Sequence, residues 1–412
     1  MMRTMKIVVV ALLALVLAAM LLPGCGGGGG GGGTRTITIG EINDLTGAGS
    51  SAMQYLHFAL QDVIRQYNDE GLIPGVKIKL VTYDDRADPA RAIPGYDWCK
   101  QQGAKAVVPG YAHVTETLKP FAETDKVPLF AQAPTLSMLE DPKWVFGLSE
   151  PGELDIQTLL KWISENDWDY SKGIPKIGFA GWSESNTIAF GDGIIEYCQA
   201  HPDEFDCVAK VYGPEGIFNW SGYLDSLKGC DFVFCGAPAG GYIIKQFTEK
   251  GYHTTFIGGA GQGSFVRFLA EMDGWAALDG MLSTFPAGWW SETSPVINQA
   301  KELLQKYRAG EAEDIMASGN CYQGGMQSAY VVLEILRNAI VEVGPENLDG
   351  QAIYNAAVNY KTEGTIWEGR PQWGFTETHR YIVGAEEVYE WSAEKKDLIM
   401  ASNGWVPLVE QP

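Results

Sequence analysis

The chain has 412 residues and a formal net charge of −21, with 46% hydrophobic and 20% charged residues. This length exceeds that of a usual single domain, so we expect two domains, and the apolar fraction supplies ample core for both. The acidic balance excludes a nucleic-acid-binding protein, which needs a cluster of Lys and Arg side chains. It otherwise reports on solubility rather than on a particular ligand.

The N-terminal segment combines four features in a fixed order. A basic start precedes an apolar run that ends at the sequence LPGC, and eight glycines follow. This order is typical of a secretory signal, and LPGC resembles the bacterial lipobox. We therefore predict a signal peptide over 1–24, a lipidated Cys25 and a glycine tether over 25–33; an uncleaved anchor helix is the alternative. In both cases the protein is predicted to lie outside the cytoplasm, in the periplasm or on the extracytoplasmic face of the bacterial membrane.

From Thr36 the chain alternates between predicted strands and helices. The strands are TITIG, VKIKLVTYDD, AKAVVPG and VPLFAQAPT. The intervening segments 51–71, 88–103 and 114–125 have apolar residues at helical spacing, and Pro94 is expected to delay the start of the second helix. Strand–helix alternation indicates the α/β class, with a parallel sheet covered on both faces.

The alternation restarts after residues 149–155, which predicts a second module of the same kind. Its strands are KIGFAGW, CVAKVYG, DFVFCGAP and TFIGGAG, and WSGYLDSL is among its helices. The stretch 294–360 is predicted to be helical, and because it has too little strand for a sheet of its own it must cover an existing one. A closing hairpin is expected over 379–395.

Six cysteines remain besides Cys25. Cys198 and Cys207 flank a short polar loop between a predicted helix and a predicted strand, and they are the predicted disulfide. Cys230 and Cys235 bracket a strand whose length keeps them too far apart to pair. With five histidines and no CxxC motif in the sequence, we expect no structural zinc site, no other metal and no cofactor.

Five segments, taken in order, resemble a known family. They are ITIGEINDLTGAGS, LVTYDDRADPARA, VPLFAQAPT, TFIGGAGQGS and GMLSTFP, and TYDDRADPA is similar to a YDD…DP segment of that family. The family is that of the type I periplasmic binding proteins of branched-chain amino acid ABC transporters, the leucine/isoleucine/valine-binding-like lipoproteins. The similarity covers about 36–389, and the order and spacing of the segments carry it.

The resemblance implies an α/β fold of two doubly wound parallel-sheet lobes, joined by a three-crossover hinge, with a ligand in the cleft between them. Lobe 1 is then expected over 34–153 and 284–360. Lobe 2 is expected over 154–283 and 361–412, including the C-terminal tail. A chain that crosses three times restricts the lobes to hinge closure.

Ligands of open α/β sheets bind outside the carboxyl ends of the strands. In family members that bind amino acids, lobe 1 holds the α-carboxylate with a serine at a helix start, a backbone amide and a threonine hydroxyl. Ala133 and Thr135 fall on the last two positions. The serine position falls on His113 or Val114, with the Thr115 hydroxyl nearby. His113 either donates to an oxyanion or is a surface-loop histidine without a role in binding.

The family's acidic partner for an ammonium group falls on Ala260. A buried ammonium without a counter-charge is costly, so a standard α-amino acid is not expected unless another carboxylate, such as that of Glu184, reaches the cleft. Glu184 is otherwise a solvated loop residue.

The remaining candidate ligand contacts are apolar or aromatic, and half of the aromatic ones are expected to be core or hinge packing instead. They are Ala52, Tyr55, Tyr111, Trp182, Phe190, Pro238, Trp289 and Trp290. Such a lining suits an aliphatic or aromatic carboxylate or a neutral amide.

The sequence contains no nucleophile elbow, no metal-binding histidine pair and no P-loop, so an enzyme is not expected. We expect a monomeric, lipid-anchored solute-binding protein that closes around a small molecule and delivers it to an ABC transporter permease. Two alternatives stay open: a sensory lipoprotein that presents a ligand to a receptor, and a true branched-chain amino acid binder. No membrane span follows Ser392, so a receptor ectodomain is not expected.

Overall fold

The computed structural model describes residues 34–140, 144–237 and 239–409. The predicted signal peptide, the predicted lipidation site Cys25, the glycine tether and Pro238 lie outside these residues. Within the described part, no helix has both the length and the apolar character needed to cross a bilayer.

A five-stranded parallel sheet contains the first strands of the chain, in the order β2-β1-β3-β4-β5. Its strands are β1 (Arg35–Asn43), β2 (Val76–Asp84), β3 (Ala104–Pro109), β4 (Leu129–Ala131) and β5 (Val145–Gly147). β1 and β3 are almost continuously buried, as strands covered on both faces must be. The sequence predicts the first four strands and misses β5, which is only three residues long.

Four helices connect these strands: α1 (Ser50–Glu70), α2 (Ala92–Gln101), α3 (Ala112–Asp125) and α4 (Leu136–Leu139). α1 ends at Gly71, which takes the left-handed conformation with φ 64° that glycine tolerates best. α2 begins four residues later than the predicted segment, after a 3₁₀ turn. The delay follows from Pro94, which lacks an N–H and therefore fits only the first turn of the helix.

The second sheet has eight strands, in the order β12-β11-β10-β9-β8-β6-β7, with β13 paired to β11. They are β6 (Lys176–Trp182), β7 (Asp206–Gly213), β8 (Phe232–Cys235), β9 (Thr255–Gly258), β10 (Leu282–Phe285), β11 (Ala385–Ser392), β12 (Asp397–Met400) and β13 (Val406–Pro407). β6 to β10 pair in parallel. β11 runs antiparallel to β10 and β12, so the predicted closing hairpin is confirmed and this sheet is mixed.

The helices that follow the first sheet fall into two groups. Those that precede or lie between the parallel strands of the second sheet are α5 (Gly152–Asn166), α6 (Ser185–Ala200), α7 (Gly240–Glu249), α8 (Ala260–Gly263) and α9 (Val266–Asp273). The later ones are α10 (Pro295–Tyr307), α11 (Ala312–Ser318), α12 (Cys321–Val343) and α13 (Gly350–Ala357). α12 packs along α1 so closely that a Cβ on Gly325 would lie 3.0 Å from the Cα of Leu56. The later helices thus cover the first sheet.

The predicted helix WSGYLDSL is wrong. Only a 3₁₀ turn, Leu224–Leu227, forms there. The Trp220 side chain is fully buried, and its backbone N–H donates to the side-chain oxygen of Gln246, 2.7 Å away. Burial of the indole and this hydrogen bond are tertiary contacts, which local periodicity does not report.

Three crossovers connect the two sheets, and hydrogen bonds join them. The first is 148–151, between β5 and α5; the second is 286–294, between β10 and α10; and the third is 358–384, between α13 and β11. Beside the first, the Gly147 N–H donates to the Arg380 carbonyl and the Ile382 N–H donates to the Gly147 carbonyl, at 2.7 and 2.9 Å. Arg370, in the third, donates to the carbonyls of Pro286 and Ala287 in the second, at 2.7 and 2.8 Å. The lobe boundaries given above stay a prediction.

Candidate ligand-binding site

A cavity of about 240 Å³ lies between the carboxyl ends of the two sheets. The loops after β1, β3 and β4 line one side, and the loops after β6, β8 and β9 line the other. The first crossover and the start of α12 close its base. This is where the rule for open α/β sheets predicts a ligand.

Six of the predicted contact residues line this cavity. They are Tyr111, His113, Ala133, Trp182, Phe190 and Ala260. Further apolar side chains join them, which the sequence analysis did not single out: Met53, Leu56, Leu148, Phe265, Val331, Trp367 and Trp373. The lining is therefore mainly apolar, as in most small-molecule sites. Contact of these residues with a ligand stays a prediction.

Most of the predicted contact residues that do not line the cavity lie on helices, where their position around the helix turns them away from it. On α1, Met53 and Leu56 line the cavity, so Ala52 and Tyr55, one position earlier, are rotated away from it. Tyr55 instead packs edge-to-face on Phe58, with ring centroids 5.9 Å apart.

The same rotation applies on α3. His113 faces the cavity, whereas Val114 and Thr115 are fully buried in the core. The Thr115 hydroxyl donates to the Tyr111 carbonyl at 3.2 Å and is not offered to the cavity. Thr135 is also buried, and its hydroxyl shares a hydrogen bond with Ser137.

Both predicted tryptophans near the second crossover make contacts within the protein. The Trp289 indole N–H donates to Asp397 at 2.6 Å, and its ring stacks on Phe285. The Trp290 indole N–H donates to the Gly319 carbonyl at 2.9 Å. Neither residue lines the cavity. These side chains join the crossover to its neighbours, which is the packing alternative that the sequence analysis left open.

His113 is a cavity group with an unused nitrogen. Its ring stacks on Tyr111 at 5.4 Å, and its Nε2 is buried with no hydrogen-bond partner among the described residues. Burial lowers the pKa of His113, so the imidazole is neutral at neutral pH. A neutral imidazole either donates or accepts one hydrogen bond at this nitrogen.

Glu184 is neither a solvated loop residue nor a free counter-charge. Its two oxygens accept hydrogen bonds from the N–H groups of Asn186 and Thr187, at 2.8 and 2.6 Å, and so cap the start of α6. Burial raises the pKa of this carboxyl. Because both oxygens are engaged at the helix start, the side chain serves to position the loop after β6.

Two further carboxyl groups reach the cavity, Glu150 from the first crossover and Asp155 from the first turn of α5, and the sequence analysis missed them. Asp155 accepts hydrogen bonds from the Thr284 hydroxyl and from the Ala260 N–H, the latter at 3.1 Å. Burial raises its pKa to about 7. Burial and the neighbouring Asp155 raise the pKa of Glu150 well above its usual range. The only signal available in sequence was the acidic segment LSEPGELD at the boundary between the modules.

Four carboxyl groups in all, those of Glu150, Asp155, Glu184 and Glu215, line the cavity. Among the described lining residues there is no Lys or Arg. The electrostatic environment is therefore acidic, and it favours a neutral or positively charged group over a free carboxylate.

Cys198 and Cys207 are both thiols in this structure. The two lie close enough for the Cys198 thiol to hydrogen-bond the Cys207 sulfur, and this bond lowers the pKa of Cys207 while raising that of Cys198. Their oxidation to a disulfide stays a prediction.

The sequence model of the periplasmic binding protein family matches residues 36–396. The chain belongs to this family. Its members are solute-binding proteins rather than enzymes. Membership implies that this periplasmic binding protein works outside the cytoplasm and passes a bound solute to an ABC transporter.

Solved structures of the same fold include three informative relatives of this periplasmic binding protein. A branched-chain amino acid ABC transporter protein from Thermus thermophilus with bound valine has a TM-score of 0.78 at 17% identity, over 92% of this chain and 97% of that one. A possible leucine/isoleucine/valine-binding protein from Rhodopirellula baltica has a TM-score of 0.76 at 13% identity, over 90% and 97%. A solute-binding protein from Rhodopseudomonas palustris in complex with 3,4-dihydroxybenzoic acid has a TM-score of 0.73 at 19% identity, over 92% and 99%. A search of curated protein sequences found no match.

Proposed function

We propose that this periplasmic binding protein is a lipid-anchored protein that captures a small, largely apolar molecule between its two lobes and delivers it to an ABC transporter permease. The observation that carries the proposal is the cavity between the carboxyl ends of the two sheets, lined by loops from both. A ligand there touches both lobes at once, so its binding favours the closed arrangement over the open one.

The lining narrows the chemistry of the ligand. Trp182, Phe190, Trp367 and Trp373 offer aromatic faces, and the Nε2 of His113 offers one hydrogen bond. Of the two head groups that the sequence predicts, a neutral amide suits this site better than a carboxylate, because acidic groups line it and no described Lys or Arg does. The solved relatives hold valine, 3,4-dihydroxybenzoic acid and 4-hydroxybenzoate.

An amino acid or another amine is the second candidate ligand. The sequence argument against it was that Ala260 replaces an acid. Glu150 and Asp155 reach the cavity by another route, and either carboxylate is able to compensate an ammonium group. Valine and leucine therefore belong in any ligand screen.

The test is a thermal-shift screen of amino acids, aromatic acids, short fatty acids and amides, read against a variant with a filled cavity. Gly324 lines the cavity at the start of α12, and a Cβ there would meet no atom within 4 Å. Gly324→Leu is therefore expected to fold, to fill part of the cavity and to lose the stabilisation given by a ligand of the wild type. Gly324→Ala is the matched control and is expected to keep it, with the small gain that alanine brings to a helix.

Equal stabilisation of Gly324→Leu and wild type by the same compound would place the binding site elsewhere. Small-angle scattering on the same samples tests hinge closure. The radius of gyration is expected to fall at saturation, and an unchanged radius would contradict closure between the lobes.

The lipid anchor is tested separately. Intact-mass measurement of the protein extracted from membranes is expected to show a diacylglycerol-modified Cys25 as the first residue. Recovery of the protein in the aqueous fraction, with residues 1–24 still attached or with an unmodified Cys25, would contradict this part of the proposal.

A further inference from the structure

Three buried carboxyl groups meet beneath the cavity. Glu150 belongs to the first crossover, Asp155 to the first turn of α5, and Glu386 to β11. One oxygen of each lies within 4.8 Å of the others. Glu150 is 5% exposed, Asp155 1% and Glu386 0%. Segments far apart in sequence therefore bring three acidic groups to a single point inside the protein.

The cluster has unused oxygen atoms directed into it. Both carboxyl oxygens of Glu386 and the Oε2 of Glu150 are buried, and none of the three has a hydrogen-bond partner among the described residues. Asp155 is partly satisfied, since its oxygens accept from the Thr284 hydroxyl and the Ala260 N–H. Each carboxylate oxygen has two acceptor sites, so Asp155 retains capacity as well.

No positive side chain among the described residues pairs with these carboxyl groups. The electrostatic influences on Glu386 come from Asp155 and Glu150, and those on Glu150 come from Asp155. None of the three carboxylates forms an ion pair with a Lys, Arg or His side chain in the described part of the chain. Burying a carboxylate with neither a counter-charge nor hydrogen bonds is among the more costly arrangements in a protein, which points to a missing cation.

We propose that Glu150, Asp155 and Glu386 bind a divalent cation of the calcium type at the base of the cavity. All available donors are oxygens, which hard cations prefer. Calcium–oxygen distances of roughly 2.3–2.6 Å require that ligand oxygens around one ion lie no more than about 5 Å apart, as they do here. The two unpartnered oxygens of Glu386 allow bidentate binding of the ion. On the side of the cluster that faces the cavity, water is expected to fill the remaining coordination positions.

The second acidic group in the structure has one buried oxygen without a hydrogen-bond partner among the described residues, the Oδ2 of Asp85, against three in the first group. Asp44, Asp84 and Asp85 also lie together. However, Asp44 accepts from the N–H groups of Gly47 and Gly49, and Asp84 accepts from the Leu45 N–H and the Thr46 hydroxyl. These carboxylates hold the loop after β1 in place, so the group serves as a matched control rather than as a second candidate.

A bound ion would connect the first crossover, α5 and β11, and so would influence the hinge. It would also neutralise the acidic base of the cavity, which would change the preference there between a carboxylate and an amide. The inference is tested with no solute present, so its failure would leave the proposed transport function standing.

The experiment uses the full chain stripped with EDTA, then titrated with calcium chloride and followed by calorimetry and thermal unfolding. One ion per chain and a saturable rise in Tm are expected. Glu386→Gln is expected to weaken calcium binding at least about tenfold, because one of three charged ligands is lost. In EDTA near pH 8, the same variant is expected to have a higher Tm than wild type, because it removes a negative charge from an uncompensated cluster.

Asp85→Asn is the control and is expected to keep the calcium response. If Glu386→Gln does not fold, Glu150→Gln repeats the test, since its Oε2 is also without a partner. The proposal is overturned if calcium, magnesium and manganese give no saturable response up to about 10 mM, above the dissociation constants of weak extracellular sites. It is also overturned if Glu386→Gln binds like wild type. Stabilisation by an organic amine alone, dependent on Glu386, would instead assign the cluster to a ligand ammonium group.

Discussion

Replacing Asp85 by Asn is expected to stabilise this protein, by an amount that depends on pH. Asp85 follows β2, is fully buried, and keeps one oxygen without a partner among the described residues. Its other oxygen accepts the Ala87 N–H at 3.1 Å. Burial, with smaller contributions from Asp44 and Asp84, raises the pKa of this carboxyl to about 6, against an ordinary value of 3.8.

The magnitude follows from this difference in pKa. A difference of about 2 corresponds to about 3 kcal/mol of unfolding free energy. Because the folded protein holds the proton more tightly than the unfolded chain, the stability is fully present below the unfolded pKa and is lost as the pH rises through about 6. Asp85→Asn has no such loss. Its advantage over wild type is expected to be about 3 kcal/mol near pH 8, about half of that near pH 5 and close to zero near pH 3.

Urea denaturation at these three pH values, at constant ionic strength and with EDTA present, measures the advantage. Asp203→Asn removes an exposed carboxyl and is expected to change stability little at any pH. An Asp85→Asn variant whose stability equals that of wild type near pH 8, or whose advantage does not vary with pH, would refute the reasoning. Buried carboxyls distant from Asp85 are present in both proteins, so their contributions cancel in the difference.

Two further substitutions test the packing and the hinge. Gly193→Ala is expected to lower the unfolding free energy by about 1–3 kcal/mol, because its Cβ would lie 2.7 Å from the Glu153 carbonyl oxygen, where α6 crosses α5. Gly222→Ala is the control, because its Cβ would meet no atom within 4 Å. Equal urea midpoints for the two variants would contradict the close approach of the helices. Arg370→Gln is expected to cost on the order of 3 kcal/mol, because the charged hydrogen bonds between the second and third crossovers are lost. Arg267→Gln breaks the exposed ion pair with Asp314 and is expected to lower the unfolding free energy by less than about 1 kcal/mol. Similar losses of unfolding free energy in the two arginine variants would show that Arg370 does not hold the crossovers together.

Local pattern accounts for much of what could be predicted. The alternation of strands and helices, the end of α1 at Gly71 and the closing hairpin all depend on residues that are neighbours in sequence. Hydrophobic periodicity and the positions of glycine and proline act between residues that are close in sequence, so the sequence alone predicts their effects. The family resemblance has the same basis, because it depends on the order of short segments along the chain.

The rotation of each helix about its own axis limits how well the site residues could be predicted from the sequence. Of the residues predicted on α3, His113 lines the cavity. The residues predicted on α1, Ala52 and Tyr55, lie one position before Met53 and Leu56, which line it. A difference of one residue is a rotation of about 100° around a helix, and only packing against neighbouring elements sets that rotation.

The sequence by itself thus determined the fold class, the family and the edge of the sheets at which the cavity lies. Only the tertiary structure decided which acidic groups lie near that edge, because it brings Glu150 of the first crossover and Asp155 of α5 to Glu386 on β11, more than two hundred positions later in the chain. Local spacing carries no information about such a meeting. It depends on the crossovers, which hold the first crossover, α5 and β11 side by side, so that their three carboxyl groups are buried at one point.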